Sequence, residues 1–275
     1  MNIEAPQSMD ITTLKAVLLN LQAIILPSRF EKVQQPEPGT IQIGLRTLKG
    51  LIWLEMSWHA DAPRLVQIEP PLRTGAESTL AQQIHHVLGQ MALVEIKQKG
   101  FERIVEFRLA KRPGEAVQRV LILELMGRHS NLVLLDDQQK IITLGRQIRN
   151  HQSRVRPLST GDLYIAPPGL QGVVPSAKEP FERWKKRLCL IPLNLKKALI
   201  ESYQGISPAL ALQLASDEIE SAHDLLQLPV NKISNNQWIQ LYKRWCHWLI
   251  KIETNKLNLY FEGPTSYRVW NTENY

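Results

Sequence analysis

The sequence predicts an α+β protein with segregated parts, a β-rich N-terminal domain followed by an all-helical one. Three observations carry this. Short apolar or alternating segments, bounded by Gly and Pro, fill residues 30–149 on either side of one helical segment. A Pro/Gly-rich stretch, YIAPPGLQGVVPSAKEP, follows at 164–180 and holds neither a helix nor a central strand. Beyond it, apolar residues recur at helical spacing in one segment after another. Strands following strands and then helices following helices are not the pattern of an alternating α/β chain.

The elements follow in order. Leu14, Val17, Leu18, Leu21 and Ile25 give 11–25 a helical stripe, with Asp10 or Thr12 as N-cap and Pro27 closing it. Strands are predicted at 30–34, 40–46, 51–57 and 65–68, with Pro36, Pro38, Gly39, Gly50, Pro63, Pro70 and Pro71 in the turns. Leu80, Ile84, Val87 and Leu88 mark a second helix at 79–88, and strands follow at 93–98, 103–110, 120–125, 132–135 and 141–149. Helices are predicted at 181–189, 193–203, 208–215, 218–227 and 235–255. This divides the chain into a β-rich domain at 1–165, a linker at 166–180, a helical domain at 181–256 and a β-like tail at 257–275 that returns to the first domain.

The 275 residues carry 33 Lys and Arg against 26 Asp and Glu, a net charge of +7. An excess of this size is compatible with a merely solvated surface, but its distribution is uneven. Residues 138–161 contain no acid, while Lys140, Arg146, Arg149, Arg154 and Arg156 are all present with His151 among them. Arg183, Lys185, Lys186 and Arg187 form a second group around Trp184. Planar guanidinium groups suit phosphate, so a polyanion is the expected partner. The N-terminal segment has no basic region ahead of an apolar run, and no run approaches the roughly 20 apolar residues of a membrane span. Cys189 and Cys246 have no ligand-type neighbours and read as reduced thiols. A cytoplasmic protein is expected.

Several stretches bear on chemistry. ELMGRHSNLVLLDD places Arg128 and His129 in a turn between two apolar strands, with Gly127 permitting the turn and Asn131 fixing it through backbone hydrogen bonds. Two readings stand: donors aimed at a phosphate, or a brace for neighbouring carbonyls. YQGISPALALQLA has the Gly-Ile-x-Pro-x-x-Ala pattern of a helix–hairpin–helix turn, with Gly205 suited to a left-handed backbone and Pro208 to the first helical position. Amides near Gly205 and Ser207 would meet phosphate without regard to base; the alternative is an ordinary helix connection. FERIV puts Glu102 and Arg103 at the start of a strand, where a solvated strand end is the plain reading. There is no HExxH, no CxxC, no Gly-x-Ser-x-Gly and no phosphate-cradling Gly loop. No enzyme activity, metal or cofactor is expected.

Taken together, PSRFEKVQQPEPGTIQIGLRT, GFERIV, ELMGRHSNLVLLD, SRVRPLSTGDLYIAPP and GISPALALQLA resemble, in this order, the NFACT family across about 10–255, with a style similar to its cyanobacterial branch. That family includes the fibronectin-binding protein A homologues and bacterial ribosome quality-control factors. The resemblance implies a β-rich domain related to formamidopyrimidine-DNA glycosylases, followed by a helix–hairpin–helix domain. It implies binding to tRNA, alanyl-tRNA in bacteria, and to the large ribosomal subunit carrying an obstructed peptidyl-tRNA, with no membrane and no small-molecule cofactor. The ribosome would supply the chemistry of template-free C-terminal tailing. The family residues tied to tailing fall on Asp10 and on Glu102–Arg103, a Glu-Arg pair where the family has Asp-Arg. The family's coiled coil and C-terminal RNA-binding domain do not lie within these residues, which implies an excised N-terminal region or a short form. Two other classes compare poorly. A DNA glycosylase would need an N-terminal proline and zinc ligands, and a fibronectin-binding surface protein an export signal.

Overall fold

The computed structural model describes residues 7–73, 78–149, 156–262 and 266–271. The chain forms two compact units. A sheet unit comprises 17–99 and 103–168; a helical unit comprises 1–16, 100–102 and 169–275.

The sheet unit holds a nine-stranded sheet in the order β4-β3-β2-β1-β5-β6-β7-β8-β9, with every neighbouring pair antiparallel. The strands are β1 (Ser28–Glu37), β2 (Thr40–Thr47), β3 (Gly50–Ser57), β4 (Arg64–Ile68), β5 (Ala92–Gln98), β6 (Ile104–Ala110), β7 (Val117–Glu124), β8 (Asn131–Leu135) and β9 (Ile141–Leu144). Short Gly- and Pro-bearing turns permit two meanders, β1 to β4 and β5 to β9, joined where Ser28 and Arg29 pair with Leu93 and Ala92. Between the meanders runs α2 (Thr79–Leu88). It is capped by the Ser78 hydroxyl, which accepts from Ala81 N at 3.0 Å, and it buries Ala81, Ile84 and Leu88 on one stripe.

LILEL and LVLLD, continuous apolar runs, become strands buried on both faces, and Val120, Ile122, Val133, Leu135, Ile141, Leu144 and Leu158 form one cluster there. The predicted strand at 141–149 stops at Leu144. A Cβ at Gly145 would fall 2.4 Å from the Trp58 ring, and beyond it the Asn131 side chain, not a strand, pairs with the backbone of Arg146.

The helical unit holds α3 (Phe181–Leu188), α4 (Leu195–Ser202), α5 (Pro208–Ala215), α6 (Ile219–Gln227) and α7 (Asn235–Glu253). Asn194, Ser207 and Ser234 cap α4, α5 and α7, and Ser234 forms a reciprocal box with Gln237. Each such cap stabilises by about 1 kcal/mol. The core is built on Trp184, Trp238, Trp245 and Trp248, all essentially inaccessible.

Two sequence-based boundaries change. The tail predicted to return to the β-rich domain instead packs on the helices: β10 (Tyr260–Phe261) pairs with β11 (Tyr267–Arg268), and Trp270 is 1% exposed within the helical core. A large indole gains most where apolar volume is available, and its Nε1 donates to Gln213 Oε1 at 3.1 Å. The stretch predicted as a linker is fastened to the same unit from residue 169 on. Val173 N donates to Ser202 O, and Glu179 accepts from the hydroxyl of Tyr203 and from Arg187. Burial and Glu179 together push the Tyr203 hydroxyl well above its usual pKa.

Candidate nucleic-acid interface

Within the helical unit, the first turn of α1 (Ile11–Ile25), residues 100–102 and the hairpin between α4 and α5 meet at one junction. Asp10 is 5% exposed, and its two oxygens do different work. Oδ1 accepts from Thr13 N at 2.9 Å, capping α1, while Oδ2 accepts from the Ser207 hydroxyl at 2.7 Å across 197 residues of sequence. Ser207 Oγ in turn accepts from Leu210 N at 2.9 Å and caps α5. One carboxylate and one hydroxyl thus serve orphan amides of two helix starts, where negative charge is favoured.

The hairpin turns at Gly205, whose φ of +76° favours glycine. Space makes the same demand: a Cβ there would lie 2.8 Å from Phe101 Cδ1 and 2.9 Å from Ile11 Cγ2. Phe101 stacks at a tilt on Trp248, with ring centroids 6.1 Å apart, and Lys15 Nζ lies 5.8 Å from its centroid. Burial lowers the Lys15 pKa. Next to Phe101, Glu102 Oε1 accepts from Leu170 N at 3.0 Å, and Gln204 Nε2 donates to the Leu170 and Gly172 carbonyls at 3.3 and 3.2 Å. Asp10 is therefore bonded directly to the turn at 203–208, and Glu102 reaches it through Leu170 and Gln204. Arg103, one residue on, belongs to the sheet unit, where its carbonyl accepts from Leu125 N at 2.9 Å.

In the sheet unit, MGRHSN forms a single 3-10 turn at Gly127–His129, with Gly127 at φ +55°. The buried Ser130 hydroxyl accepts from Met126 N at 2.8 Å. Asn131, fully buried, accepts from Leu132 N and Arg146 N through Oδ1 and donates to Arg146 O through Nδ2 at 2.8 Å. Arg146 Nη2 then donates to the Arg128 carbonyl at 2.8 Å. Arg128, His129, Arg146 and Arg149 are exposed, and Arg128 Nε donates to His129 Nε2 at 3.2 Å. The sequence reading found Asn131 but not its partner, because nothing local announces an amide that substitutes for a strand 15 residues away.

Arg156, grouped with these arginines on sequence, lies elsewhere in chemistry. Its guanidinium makes a two-pronged pair with the inaccessible Glu124, donates to the Ile165 carbonyl at 2.6 Å and sits 5.4 Å from the Tyr164 ring centroid. A carboxylate at the end of an apolar strand demands such a partner, so Arg156 is a buried counter-ion and not a surface phosphate donor. Arg154 and His151 lie outside the described residues. Among the described residues, no three His, Cys, Asp or Glu side chains gather in a group that would hold a metal, and no helix is long and apolar enough to cross a membrane.

A family model described as NFACT N-terminal and middle domains matches residues 10–275. The chain belongs to the NFACT family. Among curated NFACT relatives, it is 29% identical over 204 residues to the Rqc2 homolog RqcH of Streptococcus suis, covering 71% of this chain and 36% of the relative. To the Rqc2 homolog RqcH of Bacillus subtilis it is 25% identical over 193 residues, 68% of this chain and 33% of that one. The chain thus spans about a third of the length of the curated relatives it matches. Its fold is that of solved structures. The fibrinogen-binding protein of Staphylococcus aureus aligns at TM-score 0.70 and 22% identity, over 95% of this chain and 89% of that one. The N-terminal part of the fibronectin/fibrinogen-binding protein of Streptococcus suis aligns at 0.64 and 24%, over 80% and 85%.

Proposed function

We propose that this chain is a tRNA- and large-subunit-binding module of ribosome quality control in the cytoplasm. It positions tRNA, alanyl-tRNA in the bacterial setting, for template-free extension of stalled nascent chains. It is not itself an enzyme: the ribosome performs peptidyl transfer, and this chain contributes position and charge. The observation that carries the reading is that Asp10, which bonds Ser207, and Glu102, which bonds Leu170 and through it reaches Gln204, the positions the family ties to tailing, converge on the turn between α4 and α5 in the helical unit. We read that hairpin as a helix–hairpin–helix element and the whole as a glycosylase-like architecture without glycosylase chemistry. The names of the curated relatives and the exposed Arg128, His129 and Arg146 support the same reading.

The test is binding of the chain, and of Arg103→Ala, to total tRNA and to a duplex DNA of matched charge at near-physiological salt. Polyelectrolyte attraction alone gives similar affinities and a steep loss with salt. The expected result is a preference for tRNA above about tenfold, or about 1.4 kcal/mol, which Arg103→Ala erases. Equal binding to both would make this a general nucleic-acid-binding module and overturn the tRNA-positioning reading.

A further inference from the structure

We propose that Asp10 is a positioning residue. Its carboxylate governs RNA binding by holding the 203–208 hairpin through Ser207, and it does not itself touch RNA. This rests on the tRNA-positioning reading and deepens it.

The geometry points away from direct contact. Asp10 is 5% exposed, and each of its oxygens already accepts a hydrogen bond inside the protein, from Thr13 N and from the Ser207 hydroxyl. A buried anion is also a poor neighbour for a phosphate. Ser207, whose amide region the hairpin motif offers to a phosphate, has its hydroxyl committed on both sides, donating to Asp10 and accepting from Leu210 N. What the link does is fix one element against another. The start of α1 and the start of α5 share a single carboxylate–hydroxyl bond, and Gly205 is wedged against Ile11 and Phe101 just before that bond. Trp248 Nε1 donates to Thr12 Oγ1 at 3.0 Å and adds a second tether at the same turn of α1. From the hairpin the connection runs on through Gln204 and Leu170 to Glu102. A change at Asp10 therefore reaches Glu102 through the hairpin, with no RNA present.

The full chain is tested as Asp10→Ala, Ser207→Ala, the double variant and Asp10→Asn, by amide hydrogen exchange and by the ratio of tRNA to duplex-DNA affinity. Cross-effects are diagnostic. Asp10→Ala should speed exchange at Leu210, and Ser207→Ala at Thr13, each by about tenfold, because each removes the partner of the other helix's cap. Each single variant should lower the preference for tRNA by about tenfold, and the double variant by no more than either alone, as coupled residues do. Asp10→Asn keeps an oxygen for Thr13 N and an amide that donates to Ser207 Oγ, so its loss should be smaller than that of Asp10→Ala. Direct RNA contact by Asp10, which would overturn the proposal, predicts otherwise. Ser207→Ala would then leave the preference intact, the two losses would add, and Asp10→Asn would do as much harm as Asp10→Ala. Absent cross-effects would also overturn it. A wild-type chain with no preference for tRNA would instead overturn the parent reading and the RNA half of this one, while the exchange data still decide whether Asp10 holds the hairpin.

Discussion

Replacing Arg156 by Met removes the only cation hydrogen-bonded to Glu124 among the described residues, and Glu124 is 0% exposed. Leaving one member of a buried pair uncompensated costs about 3–5 kcal/mol. The lost hydrogen bond to the Ile165 carbonyl adds about 1 kcal/mol. The Tyr164 hydroxyl remains on Glu124 at 2.7 Å and offsets a bond's worth, so the net expectation is about 4 kcal/mol. Urea unfolding followed by circular dichroism reads it as a shift in midpoint at unchanged slope. The double variant Arg156→Met with Glu124→Leu should recover most of the loss, since an apolar pair carries no desolvated charge. A loss below about 1 kcal/mol, accompanied by a fall of about one unit in the salt slope of tRNA binding, would refute the buried counter-ion assignment and return Arg156 to the phosphate-facing set.

Three further expectations follow from other parts of the molecule. Gly205→Ala forces a left-handed φ on an L-residue and drives a methyl into Phe101 and Ile11, so tryptophan-monitored urea unfolding should show a loss of about 2–4 kcal/mol; a loss under about 1 kcal/mol would mean the hairpin simply shifts aside. Arg128→Ala should weaken tRNA and duplex DNA about equally and lower the salt slope by about one, and an unchanged slope would remove Arg128 from the interface. His247 has its pKa lowered from 6.5 chiefly by burial, and its Nε2 lies 2.7 Å from the Asn271 carbonyl. Because the folded state then binds the proton less readily than the unfolded one, the contribution is complete above about pH 6.5 and is lost as pH falls below it. Melting temperature should therefore fall from pH 7 to pH 5 more steeply than in His247→Gln, and parallel curves for the two chains would contradict this.

Much of the molecule was legible in the residues themselves. Among the described residues, period-2 and continuous apolar runs located the nine strands of the large sheet and helical stripes located the seven helices, because both signals arise within a few neighbouring residues. Gly205 and Pro208 marked the turn between α4 and α5 for the same reason. The charge count and the acid-free stretch at 138–161 were likewise visible, but what each arginine does was not. Arg146 braces a loop while remaining exposed, and Arg156 neutralises a buried carboxylate, although they lie ten positions apart in the same basic stretch. Burial and partner identity decide between those roles, and both depend on which distant segments the fold brings together. The same holds for Trp270, which joined the helices, and for Asp10. Its neighbours narrowed the N-cap of α1 to Asp10 or Thr12; the choice of Asp10, and its link to Ser207 across 197 residues, exist only in the folded chain.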